Sequence, residues 1–350
     1  MTDAALPAGV RDRVEEELRA FVEEEIAHLL AVDTELEPVA EQLRTATAHG
    51  KRLRAAFCYW GWRAARGPDS DALVRAAASM ELVHAAAVVH DDVIDDSRLR
   101  HGLPTAHHAL RRAVAACPGP EAAARSLAVL VGDLLMAWAG QLFARSGLPA
   151  AYLTRARPLW AVMARELVAG ECLEILRTGA RPDTAASLQV IRYKTAKYTV
   201  EHPLLIGGAL AGGSPALRAA CTAYGLPLGE AFQLRDDLLG LFGEVRTTGK
   251  CNSDDITARR PTALLALAWQ AAGSAERRTL ENLLGRRELT GPEVEQVREV
   301  IRGTGAPGRV EDMIAERVRT AVAVVDRSGM PAQATRALTG LARTATARSW

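Results

Sequence analysis

The chain of 350 residues is poor in cysteine, and its five, Cys58, Cys117, Cys172, Cys221 and Cys251, form no CxxC pair. That spacing indicates neither a zinc site nor a disulfide framework, and it suits a reducing cytoplasm. An excess of one charge is lacking too. With a formal net charge of +1, no global field draws in nucleic acid or an acidic membrane, so an anion site has to come from a local cluster. Residues 1–10 carry no basic start followed by an apolar stretch, so no secretory leader is expected. The most apolar long run, Leu127 to Ala144, is interrupted by Asp133 and Gln141 and is expected to be a buried helix rather than a membrane span. Period-two alternation is scarce, so strands are not expected. No low-complexity tract or long linker divides the chain.

What remains is helix. Apolar residues make up 49% and charged residues 24%, enough apolar chain for a large core. Val14, Leu18, Phe21, Val22, Ile26 and Leu29 recur on one face, with Glu15, Glu16, Glu23 and Glu24 mostly opposite. Breaks fall at Gly67-Pro68-Asp69-Ser70, Pro118-Gly119-Pro120, Gly147-Leu148-Pro149, Arg181-Pro182-Asp183 and Gly212-Gly213-Ser214-Pro215. Thr290-Gly291-Pro292-Glu293 has the form of a capping box. The pattern predicts an all-α chain of roughly twelve helices with short connections. Glu244 to Arg260 is its longest polar, loop-like segment.

Two apolar helical runs end in paired aspartates. The first leads through His84 and His90 to Asp91-Asp92-Val-Ile-Asp95-Asp96. On a helix Asp91 and Asp95 share a face, with Asp92 about 100° away. Like charges this close repel, and a hard cation resolves the repulsion; Mg²⁺ commonly takes one or two carboxylates plus substrate phosphates. A solvated acidic helix end would give the same short pattern. The cations that follow it, Arg98, Arg100 and His101 before Gly102-Leu-Pro104-Thr105, favour the metal reading. The second run, Phe232-Gln233-Leu-Arg235-Asp236-Asp237-Leu-Leu-Gly240, lacks a third carboxylate and gains meaning from the first.

Basic residues cluster at Gly50-Lys51-Arg52-Leu53-Arg54, expected to open a helix with Lys51 and Arg54 on one face. Others stand at Tyr193-Lys194-Thr195 with Lys197, and at Lys250 and Arg259-Arg260. His84 lies one heptad before Asp91. His90, His107 and His108 are expected to be satisfied structural residues.

Taken together, GKRLR, ELxHxxxxxHDDxxDD, RxGxPT, YKTA and FQxxDD resemble the polyprenyl synthetase family of trans-isoprenyl diphosphate synthases over about residues 50–262. The resemblance implies one isoprenoid synthase domain over residues 1–350, a large helical bundle around a central cavity, with residues 263–350 as C-terminal helices. It implies Mg²⁺, as three ions bound with diphosphate, on Asp91, Asp92, Asp95, Asp236 and Asp237. Lys51, Arg54, His84 and His101 match positions for isopentenyl diphosphate. Arg100, Lys194, Lys250 and Arg260 match positions for the allylic diphosphate, and Thr195 and Gln233 line its reacting end. Two departures stand out: His101 replaces the second of two arginines, and Arg259-Arg260-Pro261-Thr262 replaces a Gly-Lys-x-Thr pattern.

The implied reaction is ionisation of an allylic prenyl diphosphate, head-to-tail attack by isopentenyl diphosphate and loss of a proton. Small Ala86 and Ala87 leave a product tunnel open, and Val83 and Met80, deeper, form its floor; a C20 or longer product is expected. A cytoplasmic homodimer without a stable membrane anchor or nucleic-acid partner is also implied. A class I terpene cyclase on the same fold is the main alternative, against which Lys51, Arg54 and His84 argue. A non-catalytic subunit is the second, against which the complete first motif argues.

Overall fold

The apolar stripe at the start of the chain folds as helix α1 (Val10–Leu30), which buries Val14, Leu18, Phe21, Val22 and Ile26 while Glu23 and Glu24 stay exposed. A computed structural model describes residues 6–7, 9–243, 254–286 and 288–347. Packing divides the chain into unit 1 (Met1–Arg157 with Ile206–Gly213) and unit 2 (Pro158–Leu205 with Ser214–Trp350).

In unit 1, α2 (Glu37–Ala48), α3 (Leu53–Ala64), α4 (Asp71–Ile94) and α6 (Pro120–Ala144) surround one another, with the short α5 (Ala106–Ala109) against α6. Helix α4 packs against α1, α2, α3 and α6. It can do so because Leu73, Ala76, Ala77, Met80, Leu82, Val83 and Ala86 are apolar on every side, the composition of a core helix. Ser70 caps it by accepting from the Leu73 N–H. The basic cluster does not open α3 as expected. Lys51 is exposed and precedes the helix, and Arg52, at φ 53°, is its left-handed N-cap residue. The shared-face argument for Lys51 and Arg54 therefore fails. The anion at this helix start is the buried Glu81 carboxylate, which accepts from the Ala55 N–H at 2.8 Å.

Two further expectations need correction in unit 1. Leu99–Arg100 and Leu103–Pro104 form a small antiparallel hairpin, β1 and β2. Its two loop residues, His101 and Gly102, both have positive φ, as a tight turn of type I′ requires. Helix α6 is only half a core helix: 44% of its apolar window is buried, and Val129 and Leu130 are exposed. Both α4 and α6 are long and apolar enough to cross a membrane by length and composition.

Unit 2 begins within α7 (Ala150–Arg177) and continues through α8 (Thr184–Val190), a π-helix (Ile191–Glu201) and α9 (His202–Leu210), the last of which runs on into unit 1 residues. Then come α10 (Pro215–Phe242), α11 (Asp254–Thr257), α12 (Ala263–Ala271), α13 (Ser274–Leu283), α14 (Gly291–Gly303), α15 (Ala306–Arg327) and α16 (Ala332–Thr346). There are thus more helical segments than the twelve anticipated. Helix α10 packs on the π-helix and α15, and Leu234, Leu238, Leu264, Leu267, Val310 and Ile314 fill the core. Tyr224 donates from its buried hydroxyl to the Leu338 carbonyl, and Arg235 clamps Glu311 through two 2.6 Å bonds. Ser214, Asp183 and Thr290 cap α10, α8 and α14, and Thr290 with Glu293 completes the capping box. Of the polar segment before Arg260, residues 244–253, including Lys250 and Cys251, lie outside the described residues.

Candidate active site

In unit 1 the first aspartate set sits at the end of α4. The Asp95 N–H donates to the Asp91 carbonyl at 2.9 Å, so the two are one helical turn apart, as the spacing predicts. Both side chains are half-buried, whereas Asp92 is buried and receives Arg100. The Arg100 Nε donates to Asp92 at 3.1 Å, its Nη2 makes a shorter bond to the same carboxylate, and Asp91 lies 3.5 Å from Nη2. Asp92 thus holds Arg100, while Asp91 and Asp95 present the paired oxygens. Two carboxylates on one turn are the hard-oxygen donor set that Mg²⁺ accepts, so the residues fit that ion.

Beside this set is a cavity of about 80 Å³ whose walls include Arg52, His84, Asp92, Arg100 and His101. Arg52 is fixed by Glu15 at 2.7 Å and by the Thr47 carbonyl at 2.8 Å, and Arg54 is buried. Burial holds the His84 imidazole well below its ordinary value, and Arg54, Arg100, Arg52 and His101 push it the same way. A neutral imidazole ringed by cations is an anion-binding environment. His84 and His101 line this cavity and Arg54 acts on His84 electrostatically, while Arg52, also in the wall, is a structural clamp.

The proposed tunnel positions also lie on α4. Met80, Val83 and Ala86 are buried and Ala87 is partly exposed. By helical geometry Ala87, Val83 and Met80 follow the face of Asp91, whereas Ala86 is turned about 140° from it.

In unit 2 the π-helix carries Lys194 and Thr195. Lys194 Nζ meets Glu174 at 2.6 Å and Glu171 at 2.9 Å, both on α7, and Arg260 lies 4.0 Å from Glu174. Glu171 and Glu174 were missed in the sequence. Their signal is two carboxylates three apart, following Gly170. A Cβ on Gly170 would sit 2.3 Å from the Lys194 backbone nitrogen, so glycine alone allows α7 this close. On the other side, Cβ atoms on Gly225 and Gly229 of α10 would meet Glu201 Cα at 2.7 Å and Ala196 Cα at 2.4 Å. Glycines thus seat the π-helix against α7 and α10. π-Helical geometry is rare and concentrates at functional sites.

Across the α10 contact, the Thr195 hydroxyl donates to Gln233 Oε1 at 2.9 Å, and the Gln233 amide donates to Asp237 at 2.9 Å. The two residues expected at the reacting end of the allylic substrate are joined, and Asp237 of the second aspartate pair is tied to them. Asp236 is half-buried one residue earlier. Nearby, Glu166 accepts from Lys197 at 3.0 Å and lies 2.7 Å from His202 Nε2.

A model of the polyprenyl synthetase family matches residues 36–301. The chain belongs to that family. A solved geranylgeranyl pyrophosphate synthase from Corynebacterium glutamicum, complexed with isoprenyl diphosphate and magnesium, is 34% identical, with a TM-score of 0.93 over 97% of this chain and 99% of its own. A (2E,6E)-farnesyl diphosphate synthase from Mycobacterium bovis is 31% identical over 81% of this chain and 75% of its own. An all-trans-nonaprenyl-diphosphate synthase from Rhodobacter capsulatus is 31% identical over 74% and 73%. The fold is the all-α isoprenyl diphosphate synthase fold. The enzyme is a trans-prenyltransferase that joins isopentenyl diphosphate to an allylic prenyl diphosphate, and Mg²⁺ used with diphosphate is the family's metal.

Proposed function

We propose that this polyprenyl synthetase makes geranylgeranyl diphosphate or another C20 or longer chain, with Asp91, Asp92, Asp95, Asp236 and Asp237 as its Mg²⁺-binding set. The observation that carries the reading is the Asp91–Asp95 pair on one turn beside the cation-lined cavity. Lys51, Arg54, His84 and His101 hold the diphosphate of isopentenyl diphosphate. Arg100, Lys194, Lys250 and Arg260 hold the allylic diphosphate.

When bound, as three ions, Mg²⁺ neutralises charge on the leaving diphosphate. The chain's own part is positional and electrostatic. Arg100 is already aimed by Asp92, and Lys194 by Glu171 and Glu174, so little reorganisation accompanies charge development. Thr195 gives its proton to Gln233, so its oxygen lone pairs remain available to face an allylic cation. Apolar walls exclude the water that would quench that cation. After attack by the isopentenyl double bond, a proton passes to the departed diphosphate.

Chain length is set along α4, where small Ala87 is followed by Val83 and Met80 on the Asp91 face. The enzyme works as one domain of residues 1–350 in a cytoplasmic homodimer, without a stable membrane anchor. The test offers isopentenyl diphosphate with dimethylallyl, geranyl, farnesyl and geranylgeranyl diphosphates in turn. A C20 or longer diphosphate is expected; a hydrocarbon or alcohol released without isopentenyl diphosphate would overturn elongation.

A further inference from the structure

His107 and His108 do not fit the satisfied structural role expected of them. His107 is 1% exposed, yet its Nε2, like that of His108, is buried without a hydrogen-bond partner. The Thr105 hydroxyl gives its proton to the Ser97 carbonyl at 2.6 Å, so toward His107 Nδ1, 3.4 Å away, it can only accept. With its proton on Nδ1, toward Thr105, the His107 ring would turn the Nε2 lone pair outward. That lone pair faces the Asp96 carboxylate at 3.5 Å. The Arg125 guanidinium hydrogen-bonds the same Asp96 oxygen, so a divalent ion at Nε2 would join a carboxylate that is already oriented. Burial is the main reason that His107 is held down to about 4, with His108 and Arg125 adding to it, and burial also lowers His108.

One ligand atom from each of Asp96, His107 and His108 lies within 4.8 Å of the other two. We propose that these three residues form a second metal site, for a zinc-class divalent ion, distinct in chemistry from the all-carboxylate Mg²⁺ set. Two imidazole nitrogens and one carboxylate oxygen suit a borderline ion such as Zn²⁺ and leave a fourth position for water. Mg²⁺ prefers oxygen donors throughout, so the two metals segregate. Arg125 supplies the outer support that a ligating carboxylate needs. It hydrogen-bonds Asp96 and donates to the Val93 carbonyl at 3.0 Å, tying the carboxylate to the last turn of α4. Asp96 follows Asp95 directly, so an ion here links the Asp95 end of α4 to α5.

The test uses the full chain, stripped by chelator, in excess Mg²⁺ and without diphosphate. Zn²⁺ is titrated by calorimetry, and Co²⁺ is followed by its visible absorption. The wild-type chain is expected to bind one equivalent with an intense low-symmetry Co²⁺ spectrum and a chelator-reversible rise in Tm. His108→Ala should bind at least tenfold more weakly and lose the spectrum, and His108→Gln, nearer in size, should do the same. Asp91→Asn should keep both. Equal Zn²⁺ binding by either His108 variant, loss confined to Asp91→Asn, or no saturable binding by the wild type would overturn the site.

Discussion

Around His84 in unit 1, burial holds the imidazole well below its ordinary value, and Arg54, Arg100, Arg52 and His101 push it the same way, even though Arg52 and Arg100 have carboxylate partners in Glu15 and Asp92. In unit 2, Lys194 and Lys197 each rest on two glutamates, and Arg260 approaches one of Lys194's pair. The first arrangement gathers cations around one imidazole, which attracts an anion. The second gives an anion little net field but presents cations whose directions are already fixed. Two diphosphates with different fates suit this contrast: that of isopentenyl diphosphate stays attached and is held, while the allylic one leaves and must be stabilised as it goes.

The largest effect should come from the first aspartate set. Asp91→Ala removes half of the paired oxygens on α4 and should lower kcat for elongation by roughly 10²–10³-fold, several kcal/mol of transition-state stabilisation. Radiolabelled isopentenyl diphosphate incorporation measures this, and near-normal turnover would remove the metal set from the mechanism. The next largest effect separates the two regions. Lys51→Ala should raise KM for isopentenyl diphosphate about tenfold or more and leave the allylic KM within about twofold. Lys194→Ala should do the reverse and also lower kcat. Equal changes for both substrates in both variants would break the division of labour.

Smaller, and read in stability, is the seating of the π-helix. A methyl group on Gly229 meets Ala196 Cα at 2.4 Å, backbone that cannot swing aside. Gly229→Ala should cost about 1–3 kcal/mol by overpacking, seen as a lower urea midpoint, and should impair kcat more than KM because Thr195 and Gln233 shift apart. A variant with unchanged stability would mean that α10 can retreat without loss.

These outcomes also mark what could be read without a structure. The Asp91–Asp95 relation was legible because it lies within one helix turn, where spacing dictates geometry. That Thr195 and Gln233 share one end of the allylic substrate came from resemblance, since 38 residues separate them; their hydrogen bond was not anticipated. The Glu171–Lys194–Glu174 cluster was not legible, because it depends on Gly170 letting two helices approach and on a π-helical register that apolar periodicity does not reveal. Arg52 drew no role of its own within the basic run; its left-handed backbone and its bond to Glu15 make it a clamp. His107 and His108 were judged one at a time, and their meaning lies in Asp96, eleven and twelve residues earlier in sequence.

The smallest expected effect sharpens the comparison through pH. The folded value of His84 lies below its ordinary 6.5, so as pH falls through that value the unfolded chain gains a proton that the folded chain refuses. The stability contributed by keeping this ring neutral is therefore complete above about pH 6.5 and declines below it, until the folded value is reached. The slope from one such group is at most about 1.4 kcal/mol per pH unit. Between pH 6.5 and 5, His84→Asn should accordingly lose stability less steeply than the wild type in urea titrations. The diphosphate of isopentenyl diphosphate should work in the opposite direction, since its negative charge offsets Arg54 and His101 and raises the imidazole's value. Wild-type binding should then take up protons, measured as a buffer-dependent heat that His84→Asn abolishes. In unit 2, His202 lies 2.7 Å from Glu166, so a carboxylate stands at its ring. His202→Asn should leave that buffer-dependent heat in place, and its disappearance would show that the proton uptake does not belong to the cation-rich pocket.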